Sequence, residues 1–306
     1  MVEQAHPTIE LIDGRKNGLP DDAVLAAVIE GGGLRGGFTA GNVVALEEAG
    51  YPARLFNFVI GASSGLFNSA FYVADGSIEG SRIYSEHMVQ HNFADYKAWF
   101  RGRHVMDLTV VLDHILEEEI PLDWDTAVAS SRLYGVVSDP HQVGTKILPP
   151  PKDKAELKNN LRASAHIPIL AGRAPNIDGR RYYDGSLTAP LPIDQAIALG
   201  ATHILALSSR SLKEWRNHQS PLERFVSRAY DLRYPGIDKA IRHGVETADE
   251  RVEFLTNARD DPQGPPYIYT IDTPEGIVVH QFERDTDKLT EIVELGKQAV
   301  RSVFES

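Results

Sequence analysis

The sequence predicts an α/β fold of three layers, in which helices cover both faces of a mostly parallel central sheet. Short apolar and β-branched runs alternate with helical segments, a pattern typical of parallel strands joined by crossover helices. Two strand–turn–helix units come first. A buried strand over 23–29 precedes a helix over 39–50, and a strand over 55–62 precedes a helix over 65–75. Successive units of this kind place both turns at the same edge of the sheet.

The rest of the chain continues the alternation and ends in helices. Further strands are predicted over 132–139, 203–209 and 267–272, and further helices over 81–93, 110–120, 155–165 and 287–306. The prolines within 148–154 predict a surface turn, since proline cannot continue a helix or a central strand. The pattern over 220–260 is mostly helical. The expected division is an N-terminal extension (1–22) and a single domain (23–306), with its core motifs in 23–210 and a mainly helical elaboration in 211–306.

Composition narrows the class of protein. The chain has 306 residues, of which 42% are hydrophobic and 24% charged, as in ordinary globular proteins. A net charge of −12 without a basic run argues against nucleic-acid binding and against tight docking on anionic lipid. Transient contact with a membrane surface stays open. The absence of cysteine excludes disulfides and thiolate catalysis. With no secretory signal in the first twenty residues, we expect a cytoplasmic location.

A glycine-rich loop directly follows the first predicted strand. Five glycines fall within seven positions: Gly31, Gly32, Gly33, Gly36 and Gly37. Free N–H groups and the dipole at a helix N-terminus favour an anion, which could be a phosphate or the oxyanion of acyl transfer. Residues 31–36 match G-x-G-x-x-G, but a dinucleotide fold also needs an acidic residue after the second strand.

The second strand instead runs into a serine motif. Gly61-Ala62-Ser63-Ser64-Gly65 fits G-x-S-x-G between a strand and a helix, the context of a nucleophile elbow. Gly61 and Gly65 let the chain turn sharply, so that Ser63 projects from the bend. The glycine loop and Ser63 are expected to face each other. The loop would supply hydrogen-bond donors to the oxyanion, and Ser63 would be the nucleophile.

A serine nucleophile needs a base. Ten histidines follow Ser63 in the chain, and none has a loop context that singles it out. The stretch "YYDGSLTAPLP" over 182–192 instead offers Asp184, which precedes Gly185 in a turn of small residues. A partly desolvated carboxylate beside a serine can take its proton directly.

The three motifs together resemble the patatin-like phospholipase family, whose pattern is G-G-G-x-[RK]-G, then G-x-S-x-G, then D-G-[GA]. The chain carries GGGLRG at 31–36, GASSG at 61–65 and DGS at 184–186, and the block 162–207 also looks like bacterial members. The resemblance covers roughly residues 23–210. Ser186 stands where the family usually has Gly or Ala, and because serine is small we expect the turn to form.

The resemblance implies a patatin-like fold and a serine lipid acyl hydrolase of phospholipase A or carboxylesterase type. It implies a Ser–Asp dyad without a catalytic histidine and without a cofactor. Ser63 would be the nucleophile and Asp184 the base. The oxyanion and substrate loop would be Gly31, Gly32, Gly33, Leu34, Arg35 and Gly36, with the amides of Gly32 and Gly33, and as a third candidate Leu34, as oxyanion donors. The Arg35 guanidinium would hold the loop or meet a head-group phosphate.

Two alternatives stay open. A transacylase would pair Ser63 with a histidine about a hundred residues on, and His166 lies 166 − 63 = 103 residues later. In that case the triple-glycine loop and Asp184 would have no role. A phosphate- or nucleotide-binding module is the other alternative, but it lacks the G-K-[ST] ending of a P-loop.

No metal site is expected from the sequence. The glutamates at 117–119 predict a solvated helix face, no histidine and carboxylate show zinc-ligand spacing, and no calcium loop is present. Substrate-facing loops are expected within 76–130 and 210–262. The stretch over 93–106 mixes aromatic and basic residues and predicts a packed cap helix.

Overall fold

The computed structural model describes residues 5–91, 93, 104–167, 170–172, 174–216, 228, 231, 232, 238, 241 and 248–305. Residues 94–103 of the predicted cap helix over 93–106 and most of the predicted helical region before position 248 lie outside these residues.

A central sheet of seven strands organises the described part of the chain, in the order β4-β3-β2-β1-β8-β9, with β7 paired to β3. The neighbouring strands β3, β2, β1, β8 and β9 are parallel to one another. The strands β4 and β7 both run antiparallel to β3. A short ribbon of β5 and β6 lies apart. The strands are β1 Leu25–Ile29, β2 Phe58–Ala62, β3 Leu133–Asp139, β4 Gly144–Leu148, β5 Asn176–Ile177, β6 Arg180–Arg181, β7 Tyr183–Asp184, β8 His203–Leu207 and β9 Tyr267–Ile271.

Helices cover the sheet on both faces. They are α1 Pro7–Lys16, α2 Gly37–Glu48, α3 Ser64–Val73, α4 Ser77–Arg82, α5 Met88–Gln90, α6 Trp124–Ala129, α7 Lys154–Ser164, α8 Ile193–Ala198, α9 Ala248–Asp260 and α10 Thr286–Phe304. Two further segments are π-helical. Ile83–His87 joins α4 to α5, so 77–90 is one continuous helical stretch, and Val110–Glu119 is the second. Among the described helices none has the length and apolarity to span a membrane.

The strand β1 shows how the sequence encodes three layers. Leu25, Ala27 and Ile29 belong to the apolar cluster on the face of α2, α3 and α10, whereas Ala26 and Val28 belong to the cluster on the face of α8 and α9. Both sets of side chains are buried, which explains the continuous apolar run of a central parallel strand. The predicted three-layer α/β/α fold with a mostly parallel sheet is confirmed.

The predicted strands are found within a few residues of their expected bounds, and so are the helices predicted over 39–50, 65–75, 81–93, 155–165 and 287–306. The sequence did not predict β4, α1, α6 or α8, which are short or carry mixed patterns. The helix predicted over 110–120 is present, but as a π-helix.

The terminal segments pack on the same core. The Thr8 hydroxyl of α1 donates to the carbonyl of Tyr267 in β9 at 2.9 Å, and the His6 ring lies 3.0 Å from the carbonyl of Ala258. Residues beyond 210 contribute β9 to the sheet and α10 to its core face.

The contact between α2 and α10 depends on two glycines. A Cβ added to Gly296 would lie 2.1 Å from the carbonyl oxygen of Phe38, and one added to Gly41 would lie 2.0 Å from that of Val293. A Cβ cannot lie so close to a carbonyl oxygen, and a backbone carbonyl group cannot move aside as the end of a flexible side chain can. Both positions therefore require glycine. The two helices therefore approach at backbone distance just behind the glycine loop.

We predict that Gly296→Ala lowers the free energy of unfolding by at least about 1–3 kcal/mol, the usual effect of overpacking. The measurement is urea unfolding at neutral pH. Gly14→Ala in α1 is the matched control, since its Cβ would meet the side chain of Leu19 at an ordinary 3.7 Å. Glycine-to-alanine changes inside helices are otherwise neutral or stabilising. Equal stability of the two variants would contradict the close approach.

Candidate active site

Ser63 occupies a strained turn between β2 and α3. Its backbone has φ 53° and ψ −128°, with positive φ in a residue that carries a Cβ. Such a conformation costs about 1–3 kcal/mol and persists only where the surroundings impose it. The G-x-S-x-G pattern predicted this sharp strand-to-helix turn, and the structure contains it.

Close packing around the elbow imposes this conformation. A Cβ on Gly65 would lie 2.3 Å from the carbonyl oxygen of Ile29, and one on Gly61 would lie 2.5 Å from that of Gly65. The Ser63 amide donates to the Ser164 hydroxyl at 3.0 Å, and that hydroxyl donates to the carbonyl of Val136 at 2.7 Å. Ser164 thus fastens the elbow to the neighbouring strand β3.

Asp184 reaches Ser63 because β3 is longer than β2. The pairing of β2 with β3 ends at Ala62 and Val136. The next two residues of β3, Val137 and Ser138, pair with β7 instead. Since β4 occupies the opposite edge of β3, β7 lies beyond the carboxyl end of β2 and brings Asp184 to the elbow. The Ser63 hydroxyl donates to Asp184 Oδ2 at 2.8 Å.

The turn after β7 holds the carboxylate in place. The Ser138 hydroxyl donates to the Asp184 carbonyl at 2.7 Å, and the Ser186 amide donates to Asp184 Oδ1 at 2.8 Å. A Cβ on Gly185 would lie 2.3 Å from the carbonyl oxygen of Val136, which explains the glycine. Ser186 fits the short 3₁₀ turn Gly185–Leu187, so the turn forms despite the departure from the family pattern.

The site shields this carboxyl group from water. Asp184 is 3% exposed and Ser63 is 7% exposed. Burial raises the pKa of Asp184 to about 6, against the opposing hydrogen bonds from Ser63 and Ser186. The carboxylate therefore takes a proton far more readily than an exposed aspartate does, while staying largely ionised at pH 7.

The glycine loop is anchored by Glu30, a residue that the sequence reasoning did not single out. Its side chain is fully buried at the end of β1. One oxygen accepts from the Ser208 hydroxyl at 2.6 Å and from the Ser209 amide at 2.8 Å, and the other lies 2.7 Å from the Arg210 guanidinium. The sequence signal for Glu30 was its position as a charged residue between an apolar strand and a run of glycines. The partners of Glu30 follow β8 in the chain, and only the strand order of the sheet brings them near it.

The loop itself lies against the elbow. A Cβ on Gly31 would lie 2.7 Å from Cβ of Ser63, so glycine is needed for this approach. One on Gly36 would lie 2.5 Å from the Ser64 hydroxyl. Gly33 has φ +59°, a left-handed conformation that glycine adopts without strain. The expectation that the loop and Ser63 face each other is therefore met.

Two amides of the loop donate hydrogen bonds within the protein. The Gly32 amide donates to the Ser64 hydroxyl at 3.0 Å, and the Leu34 amide donates to the carbonyl of Gln281 at 3.0 Å. These two amides therefore have acceptors within the described residues, and their role as oxyanion donors stays a prediction. The amides of Gly33 and Ser64 have no acceptor among the residues that the structure describes. Ser64 begins α3, where the first amides of a helix lack intrahelical partners.

Arg35 lies within the 3₁₀ turn Gly33–Gly36 and is partly buried. Its Nε lies 3.1 Å from the position of a Cβ on Gly32, so the side chain packs against the loop. This position fits the expected bracing role.

His166 is near the pair but does not join it. Its ring is 1% exposed and stacks on Tyr183 with 5.9 Å between centroids. Its Nε2 has no hydrogen-bond partner within the described chain, and burial lowers its pKa to about 4. The carbonyl of His166 accepts from the Asp184 amide at 2.9 Å, so its backbone supports the dyad turn. The geometry disfavours the Ser–His pair of a transacylase.

The fold and the elbow are typical of α/β enzymes that carry a nucleophilic serine. Comparison with known proteins specifies the family. The patatin-like phospholipase family model matches residues 27–197, more than half of the chain, and the chain belongs to this family. The uncharacterized protein YjjU of Escherichia coli (strain K12) is 24% identical over 187 residues, which cover 60% of this chain and 51% of that relative. The chain thus matches about half the length of this relative.

We predict that Asp184→Asn makes the protein more stable at pH 8. The folded-state pKa of about 6 exceeds the ordinary 3.8, so stability falls as the pH rises from 3.8 to 6 and the loss is complete above 6. Asparagine removes this penalty of up to about 3 kcal/mol, at about 1.4 kcal/mol per pKa unit. Urea unfolding at pH 8 and pH 4 should show the gain only at pH 8. A variant less stable than wild type at pH 8 would contradict the burial of an ionised Asp184.

Proposed function

We propose that the chain is a serine lipid acyl hydrolase of phospholipase A or carboxylesterase type that uses a Ser63–Asp184 dyad. The observation that carries the proposal is the 2.8 Å hydrogen bond from the Ser63 hydroxyl to a buried carboxylate, on a strained elbow that the glycine loop faces. Membership of the patatin-like phospholipase family, a family of lipid acyl hydrolases, supports the same chemistry.

The first half-reaction forms an acyl-enzyme. Asp184 takes the hydroxyl proton as Ser63 Oγ attacks the ester carbonyl carbon, and the carbonyl oxygen becomes an oxyanion. When the tetrahedral intermediate collapses, the bond to the leaving alcohol breaks and Asp184 returns the proton to that alcohol. In the second half-reaction water replaces the alcohol, with Asp184 as its base, and a fatty acid leaves.

The oxyanion needs donors that are free before the reaction. We assign this role to the amides of Gly33 and Ser64, one from the loop and one from the residue after the nucleophile. The hydrogen bond from Gly32 to the Ser64 hydroxyl fixes the loop to the elbow and so positions both donors. Each such donor is worth about 10²–10³ in turnover.

The pKa of Asp184 suits this role at neutral pH. A base works best when its pKa lies near the operating pH, since it is then ionised and still accepts a proton. At about 6, Asp184 meets both conditions. The substrate class we propose is an acyl ester of a lipid, met by transient contact with a membrane surface, and Arg35 is the candidate for a head-group phosphate.

We predict that a fluorophosphonate labels Ser63 covalently and that Ser63→Ala abolishes both labelling and ester hydrolysis with the fold intact. Peptide mapping of the labelled protein identifies the site. Ser64→Ala is the matched comparison and should still be labelled, but more slowly, because it keeps Ser63 and Asp184 and loses only the hydroxyl that accepts from Gly32 and positions the loop. Undiminished turnover of Ser63→Ala on a short acyl ester would overturn the assignment.

We predict that kcat/KM rises with pH through a midpoint near 6, as Asp184 ionises. Asp184→Asn should lose about 10²–10⁴ in turnover, the usual worth of a general base. His166→Phe keeps an aromatic ring against Tyr183 and should stay within about tenfold of wild type, since the ring has no contact with the hydroxyl. A loss in His166→Phe equal to that in Ser63→Ala would favour the transacylase alternative.

A further inference from the structure

A cluster of three histidines and one glutamate lies outside the candidate active site, between the C-terminal end of the helical stretch 77–90, which His91 directly follows, and the π-helix 110–119. Glu119 is at its centre. His91 Nε2 and His114 Nε2 lie 2.9 and 3.0 Å from Glu119 Oε1, and His87 Nδ1 contacts Glu119 Oε2. The sequence predicted a solvated helix face over 117–119, and the side chain of Glu119 is 25% exposed.

Helix geometry brings the four side chains together. His87 and His91 are four residues apart, so they share one face of a helical stretch. His114 and Glu119 are five residues apart, which on an α-helix would place them ~140° apart around the axis. The π-helix has hydrogen bonds from i to i+5, so residues at this spacing lie above one another. The sequence analysis did not connect the i,i+4 pair His87 and His91 with His114 and Glu119, because the i,i+5 spacing of the second pair is not that of ligands on an α-helix.

The donor set matches a divalent transition metal. Zinc binds imidazole nitrogen and carboxylate oxygen in a tetrahedron at about 2.0–2.2 Å. Donor atoms of His87, His91 and Glu119 all lie within 4.8 Å of one another, so small side-chain shifts would place them around one ion. The side chains of His87 and His91 are 14% and 23% exposed, and that of His114 is 43% exposed.

The outer nitrogens of two histidines face further carboxylates. His114 Nδ1 lies 2.8 Å from Glu118 Oε2, which leaves Nε2 directed at the cluster. His87 Nε2 lies 3.8 Å from Glu86 Oε2, which leaves Nδ1 directed at the cluster. Metal-binding histidines usually have such a partner on the second nitrogen, which fixes the ring and the tautomer. His87 Nε2 is buried without a hydrogen bond in the described residues, so Glu86, at 3.8 Å, does not fix the His87 ring as Glu118 fixes the His114 ring.

We propose that His87, His91 and Glu119 bind one zinc ion as a closed structural site, with His114, whose Nε2 lies 3.0 Å from Glu119 Oε1, as the fourth ligand after a shift of its side chain. All four positions are filled by protein, so the ion has no open position for substrate. The zinc ion would connect His87 and His91, at the end of the helical stretch 77–90, to His114 and Glu119 on the π-helix. Tyr84, in the same stretch, donates to Asn68 of α3 at 2.9 Å. The ion would thereby fix a helix that packs against the elbow helix.

The experiment uses the full chain, stripped with a chelator and then titrated with Zn²⁺ by calorimetry, with Co²⁺ as a spectroscopic substitute. We expect one zinc per chain, visible Co²⁺ absorption of tetrahedral type, and a thermal midpoint that rises with zinc. His91→Asn and Glu119→Gln should each weaken zinc binding at least about 100-fold.

Two matched control variants test whether zinc binds at this cluster. Glu118→Gln changes the neighbouring carboxylate and should weaken binding no more than about 10–100-fold, as for outer partners. His141→Asn changes an exposed histidine elsewhere and should bind zinc as wild type does. Circular dichroism of the stripped wild type shows whether the chain is still folded. The proposal is overturned if folded wild type takes up no zinc, or if His91→Asn and His141→Asn bind it equally. In that case the cluster is a hydrogen-bond network centred on Glu119.

Discussion

The candidate active site depends on the two residues by which β3 extends past the end of its pairing with β2. Val137 and Ser138 find no partner in β2, and β7 pairs with them in its place. This pairing sets the position of Asp184 relative to Ser63, which is 121 residues earlier in the chain. Backbone pairing fixes position to within a fraction of an ångström, because every hydrogen bond of the ladder must be met. A dyad built this way is held by the sheet rather than by a loop.

Glu30 and Asp184 are buried carboxylates at this sheet edge, and their partners give them different properties. Glu30 faces the Arg210 guanidinium and two donors after β8, so its charge is balanced and it anchors the glycine loop. Asp184 accepts hydrogen bonds from Ser63 and Ser186, and within the described chain no cation contacts it. Burial without a counter-charge is what raises its pKa. The strained backbone of Ser63 and the uncompensated carboxylate are both features that lower stability, as expected where function is favoured over stability.

The supports of the glycine loop come from distant parts of the chain. Glu30 and Arg210 hold its beginning, the Ser64 hydroxyl holds Gly32, and the carbonyl of Gln281 holds Leu34. The helix α10 then packs at backbone distance on α2, which follows the loop. Residues well beyond the motif-bearing region thus complete the site, which is why the loop keeps a defined conformation despite its glycines. The histidine cluster stands on a helical stretch that contacts α3 through the hydrogen bond from Tyr84 to Asn68.

The sequence by itself determined the layered fold, the parallel strands and the three motifs, because buried apolar runs, glycines at sharp turns and an elbow serine are local requirements. It also indicated Ser63 and Asp184, through their motifs. Only the tertiary structure decided which amides stay open, that Glu30 meets Arg210, and that His114 and Glu119 lie together. These depend on strand order, on the register of β7 and on a π-helical segment. Each of these is set by packing between residues far apart in the chain, which no local pattern records.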